Sequence, residues 1–244
     1  MIALLVRWLT VPQRNTLGMA DRETRSEEPA FVENPDERAA LEAENALLQF
    51  DEVLDLIDLS VRDGRKFRLR PSTILGLQAT AMKGVHPQAG TFRNTPVEIS
   101  GSQHQPPHES LVAARVEELC DWVNDNWSEK SAVEICAYMM WRLNWIHPFA
   151  DGNGRTTRAV AYLLLCVRSN ARLPGAPTIP EQIAEDKRPY YEALEKLDGA
   201  ENDGETDLTP MIALLQHYLE RQLGAALEAA TNSDFNLDNP KKLH

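Results

Sequence analysis

His147-Pro148-Phe149-Ala150-Asp151-Gly152-Asn153-Gly154-Arg155-Thr156-Thr157-Arg158 joins two apolar segments of helical period, and its reading decides the fold. The upstream segment is Ala132 to Ile146, and the downstream one starts at Arg155 and runs through Val160, Tyr162, Leu163, Leu164, Leu165 and Val167. A Gly-Asn-Gly loop entering a helix exposes N–H groups that have no intrahelical acceptor, and the helix dipole adds partial positive charge there. Such a terminus suits phosphate. Arg155 and Arg158 are three apart, so on a helix they share a face and can grip one polyphosphate. Asp151 is a hard oxygen ligand of the kind that Mg²⁺ takes together with substrate phosphates. His147, just before the loop, is placed to take a proton from an incoming hydroxyl. A plain turn between helices would also use Asp, Asn and Gly. It leaves two arginines unexplained in a first helical turn, where cations are disfavoured.

The string HPFADGNGRTTR resembles the signature of Fic proteins: His, Phe, an acidic residue, Gly-Asn-Gly-Arg and a second Arg, with every position filled. The resemblance implies an all-α fold, a Fic-type helical core with a small β-hairpin flap over the active site. It also implies transfer of AMP from ATP to a Ser, Thr or Tyr hydroxyl of a protein. Carried over by position, His147 is the base and Asp151 the Mg²⁺ ligand. Gly152, Asn153, Gly154, Arg155 and Arg158 form the phosphate cradle, and Phe149 is the buried anchor of the loop. Relatives that transfer phosphate carry Lys at the second glycine, and those that transfer phosphocholine carry Ala at the first. Gly154 and Gly152 therefore favour AMP.

Two other stretches gain meaning from the resemblance. The residues 90–101, alternating and bounded by turn formers, predict a hairpin, where Fic proteins hold a target segment in extended form. Val97, Glu98 and Ile99 are its candidate docking stretch, by strand addition. Many Fic proteins also carry an inhibitory motif: Ser or Thr, three residues, Glu, then Gly or Asn. Glu44-Asn45 fits it, although Ala40 stands in place of the hydroxyl residue. The resemblance then implies that Glu44 pairs with Arg158 and keeps the γ-phosphate away.

Length and composition bound the rest. A chain of 244 residues with 43% hydrophobic content fits one domain with extensions. The net charge of −12 argues against a nucleic-acid surface. Cys120, Cys136 and Cys166 lie in apolar helical patterns without metal spacing, as buried thiols of a reducing, cytoplasmic compartment would. Met1 to Leu9 is too short to span a membrane, and Arg7 interrupts it as a signal peptide.

The expected layout is a disordered extension over 1–33, a Fic domain over 34–230 whose inhibitory helix covers 34–61, and a polar tail over 231–244. Asn34-Pro35 starts the first helix. Further helices are expected over 71–82, 107–126, 128–146, 154–170, 186–197 and from Thr209 to about Ala230. The implied partners are ATP and a protein with an exposed hydroxyl, this chain itself included; homo-oligomers are compatible. Two alternatives stay open at this point: a hydrolase that removes AMP, with Glu44 positioning water, and a nucleotide-sensing interaction module without catalysis.

Overall fold

Helix-start chemistry written into the chain sets most of the elements. The computed structural model describes residues 22, 24–26, 31–32, 34–62, 67–202 and 207–237. Asn34 Oδ1 accepts from the backbone N–H of Asp36 at 3.0 Å and of Glu37 at 3.2 Å. With Pro35 at the first helical position, this cap opens α1 (Pro35–Arg62). The helix α2 (Pro71–Met82) has the predicted bounds. A 3₁₀ turn over Glu109–Leu111 precedes α3 (Val112–Asp125), so that helix starts later than expected; the His108 side chain caps the turn. A capping box between Ser131 and Glu134 starts α4 (Ala132–Ile146). Then follow α5 (Asn153–Arg168), α6 (Ile179–Glu185), α7 (Arg188–Asn202) and α8 (Thr209–Leu237).

The all-α expectation holds, with α4 and α5 as the central pair. Residues Ala159 to Cys166 of α5 are buried on every side, as fits a helix passing through the middle of a core. Met139, Met140 and Trp141 of α4 pack there with Leu163 and Leu164, and α1, α2, α3 and α8 surround them. The three thiols are free and buried. No helix among the described residues is long and apolar enough to cross a membrane.

Two polar side chains fix α1 to α2. Asn45 Nδ2 donates to the Lys83 carbonyl at 2.7 Å and to that of Ala81 at 3.4 Å. Gln49 Nε2 donates to the Leu77 carbonyl at 2.8 Å. Both are buried, and Asn45 satisfies carbonyls at and just past the C-terminal end of α2 that its ladder leaves open. This docking brings the first turns of α1 over the start of α5.

Four expectations need correction. The hairpin does not form: β2 (Glu98–Ile99) pairs instead with a distant segment, β1 (Thr24–Arg25). The stretch meant for the other arm is held elsewhere, Gly90 N–H by Gln78 Oε1 and Arg93 N–H by the Pro148 carbonyl. Disorder through residue 33 therefore fails at Thr24–Arg25, whose backbone finds partners in β2; residues 1–21, 23, 27–30 and 33 lie outside the described residues. The polar tail does not begin at Thr231, because α8 continues to Leu237. The Thr231 hydroxyl donates back to the carbonyls of Leu227 and Glu228, both at 3.0 Å, and so does not break the helix. Residues 238–244 lie outside the described residues. Finally, α6 was not expected, since seven residues carry too little period; its capping box, Thr178 with Glu181, was the readable signal.

Candidate active site

The connection from α4 to α5 builds the site. His147 ends α4 in the left-handed region, φ 49° and ψ 60°, with its N–H on the Leu143 carbonyl at 3.0 Å. That conformation is rare for a residue with a side chain. Arg93 holds it: the buried guanidinium donates from Nε to the His147 carbonyl at 2.8 Å and from Nη2 to the Ile146 carbonyl at 3.4 Å. Nη2 also donates to the Pro107 carbonyl. The imidazole turns Nδ1 toward the Asn144 carbonyl at 3.3 Å. A proton on Nδ1 there leaves Nε2 as the lone-pair acceptor. Nε2 lies 2.8 Å from the hydroxyl oxygen of Thr24. Burial, opposed by the Asn144 bond, pushes the imidazole pKa down to about 3, so the ring is neutral at physiological pH.

Asn153 and the glycines shape the loop. Asn153 Oδ1 accepts from Phe149 N–H at 3.0 Å, and its Nδ2 donates to the Phe149 carbonyl at 2.8 Å and to Thr24 Oγ1 at 3.2 Å. Phe149 is fully buried, as expected, with its ring 5.9 Å from that of Phe92. Gly152 has φ +80°, and a Cβ there would meet Met82 Sδ at 2.7 Å, so both conformation and space require glycine. A Cβ on Gly154 would press on Arg158 Nη1 at 3.3 Å. The first N–H groups of α5, which lack intrahelical acceptors, face the same opening as the arginines.

That opening is a cavity of about 910 Å³. Arg22, Arg25, Arg38, Arg155, Arg158 and Lys187 line it, against the carboxylates of Glu42 and Asp151. A chain of net charge −12 thus concentrates cations at one place. Arg155 Nη1 is buried and has no hydrogen-bond partner among the described residues. Burial lowers the pKa of Arg158, helped by the neighbouring Arg155 and opposed by Tyr191 and Tyr190. Both features suit an anionic ligand.

The start of α1 reaches into the cavity, but not with Glu44. Glu44 is exposed, and no carboxylate among the described residues pairs with Arg158. Glu42 Oε1 instead lies 3.1 Å from Arg155 Nη2 and 2.9 Å from Arg38 Nε. Arg38 Nη2 also pairs with Asp151 Oδ2. The two-residue offset is a helical rotation: Asn45 and Gln49 face α2, and that face leaves Arg38 and Glu42, an i,i+4 pair, toward α5. As to a metal, the described residues contain no group of three or more His, Cys, Asp or Glu that could hold one. Asp151 offers one carboxylate at the phosphate opening, which fits Mg²⁺ only in its nucleotide-shared mode.

The sequence profile of the Fic/DOC family matches residues 68–165. Over that stretch the chain is similar to the family. It is 28% identical over 189 residues to a protein adenylyltransferase Fic of Nematostella vectensis, covering 77% of this chain and 40% of that protein. With a protein adenylyltransferase Fic of Drosophila willistoni it shares 29% over 195 residues, covering 79% of this chain and 36% of that one. The chain thus spans well under half the length of these curated relatives. A Fic domain containing signaling protein from Bacteroides thetaiotaomicron has the same fold, with a TM-score of 0.67 at 23% identity, over 82% of this chain and 76% of that one.

Within the matched stretch the signature residues converge: His147, Asp151, Gly152, Asn153, Gly154, Arg155 and Arg158 all line the cavity. Of the docking stretch, Ile99 lines it too. Glu98 is exposed and pairs its backbone with Arg25, and Val97 is buried. Sequence reasoning missed Arg38, Glu42, Arg93, Arg22 and Thr24. Nothing local marks them, because each acts on residues more than fifty positions away.

Proposed function

We propose that this chain transfers AMP from ATP to the hydroxyl of a Ser, Thr or Tyr of a protein. The observation that carries the reading is the neutral imidazole of His147, its unprotonated Nε2 already facing a hydroxyl, beside an α5 terminus where Arg155 has an unpartnered N–H. The acceptor oxygen attacks the α-phosphorus while His147 Nε2 takes its proton. The Pα–O bond to the β-phosphate breaks, and pyrophosphate leaves. Charge that grows on the phosphate oxygens meets the α5 N–H groups, Arg155 and Arg158. Mg²⁺ held by Asp151 and the phosphates would neutralise part of that charge. The curated relatives named adenylyltransferases support the same reaction. The three buried free thiols suit a reducing compartment, and we place the chain in the cytoplasm.

Restraint by α1 belongs to the same proposal, with Glu42 and Arg38 as its agents rather than Glu44. Glu42 occupies Arg155, and Arg38 occupies the Asp151 oxygen that a metal would need. Incubation with ATP labelled at the α- or the γ-phosphate, with a protein extract as acceptor, tests the reaction. The α-label alone should pass to protein and should vanish in His147→Ala. Glu42→Gly should raise the initial rate severalfold, while the exposed Glu44→Gly should leave it unchanged. Transfer of γ-label would overturn the reaction, and a Glu44→Gly rise without one in Glu42→Gly would overturn the restraint.

A further inference from the structure

The segment around Thr24 sits in the site as an acceptor would. Its backbone adds to β2 as an antiparallel strand, Thr24 opposite Ile99 and Arg25 opposite Glu98. Main-chain pairing of this kind fixes an extended peptide in direction and register. The register delivers one side chain to the base: Thr24 Oγ1 lies 2.8 Å from His147 Nε2 and accepts from Asn153 Nδ2 at 3.2 Å. Two residues earlier, the Arg22 guanidinium anchors the segment on α7. It lies 3.4 Å from Glu195 Oε1 and 3.9 Å from Asp198 Oδ2, and 5.5 Å from the centre of the Tyr191 ring. Backbone, hydroxyl and anchor are three separate contacts with the same consequence. A threonine that merely filled space would need none of the three.

We propose that Thr24 is an intramolecular acceptor, so that the chain places AMP on its own N-terminal segment in cis. The assignment rests on the AMP-transfer reading above. Thr24 Oγ forms the new bond to the α-phosphorus, its proton passes to His147 Nε2, and the Pα–O–Pβ bond breaks with pyrophosphate as leaving group. Threonine O-AMP is the product, and no reactant beyond ATP is required. The proton acceptor already touches the hydroxyl, so what remains is for nucleotide to enter the cavity beside it. Tethering of this kind makes the reaction first order in protein.

The full chain and its Glu42→Gly variant are incubated with Mg²⁺ and α-labelled ATP, and the labelled residue is mapped by peptide mass spectrometry. The expected result is label on Thr24, at a fractional rate independent of protein dilution. Thr24→Ser keeps the label, whereas Thr24→Val and His147→Ala lose it. A tagged His147→Ala chain mixed with the active chain stays unlabelled. Thr24→Val keeps the shape of the side chain, and a melting temperature equal to that of the parent chain excludes misfolding as the cause of its loss. Label on another residue or on an added protein, with Thr24 bare, overturns the assignment and leaves the transferase reading standing. Label on the tagged His147→Ala chain overturns the cis route. Absence of α-label on every protein overturns the transferase reading and this proposal together.

Discussion

At the scale of single residues, the site depends on side chains held in costly states. His147 is buried, left-handed in backbone and neutral, and Arg93 spends a buried guanidinium on the carbonyls that end its helix. Burial also lowers the pKa of Arg93, with Glu109 opposing the shift. A pH profile follows from the imidazole. Its pKa lies below the ordinary value of about 6.5, so lowering the pH through that region leaves the base unprotonated. An ordinary imidazole would be about three-quarters protonated at about pH 6 and would lose activity in proportion. Here the transfer rate at saturating ATP should stay flat between about pH 8 and about pH 6. An inflection near the ordinary histidine value would show that the ring is not desolvated in the working enzyme.

At the scale of elements, α1 turns one face to α2 and another to α5, and the restraint proposed for it rests on the second. Asn45 and Gln49 hold it to α2, while Arg38 and Glu42 turn toward α5. Asn45→Ala removes its donations to the Ala81 and Lys83 carbonyls and leaves the buried one of Ala81 open, a loss of about 1–3 kcal/mol. A melting curve of that variant should therefore shift to lower temperature. The same change loosens the seat of Glu42, so transfer should rise in the less stable protein. A fall in both stability and transfer would separate the docking of α1 from its restraint. The start of this helix was plain in Asn34-Pro35, and its apolar period was plain too. Which carboxylate meets the arginines was not, because Glu42 and Glu44 differ only in the rotation that packing against α2 imposes. The hairpin failed for a related reason: the alternation over 90–101 marks extended backbone but names no partner. The partner strand stood more than seventy residues away.

At the scale of the whole molecule, one apolar core carries the site on the central pair α4 and α5. The thiols report on that core. Cys120, Cys136 and Cys166 are buried, and burial pushes the Cys120 thiol up to about 12. A thiolate is the reactive form, so the folded protein should resist aromatic disulfide reagents at neutral pH. All three thiols should react in one step with global unfolding in denaturant. Rapid labelling of any thiol in the native protein would show that the core around α4 and α5 opens locally.

The sequence by itself determined the loop from His147 to Arg158, the helical class and the helix starts, since caps, glycines and apolar period act over a few residues. Only the tertiary structure decided that Glu42 meets Arg155, that Arg93 braces His147, and that Thr24 reaches the imidazole. Those contacts join residues far apart in the chain. They depend on how one helix is rotated against another and on which distant backbone fills the open edge of β2, and no local pattern encodes either.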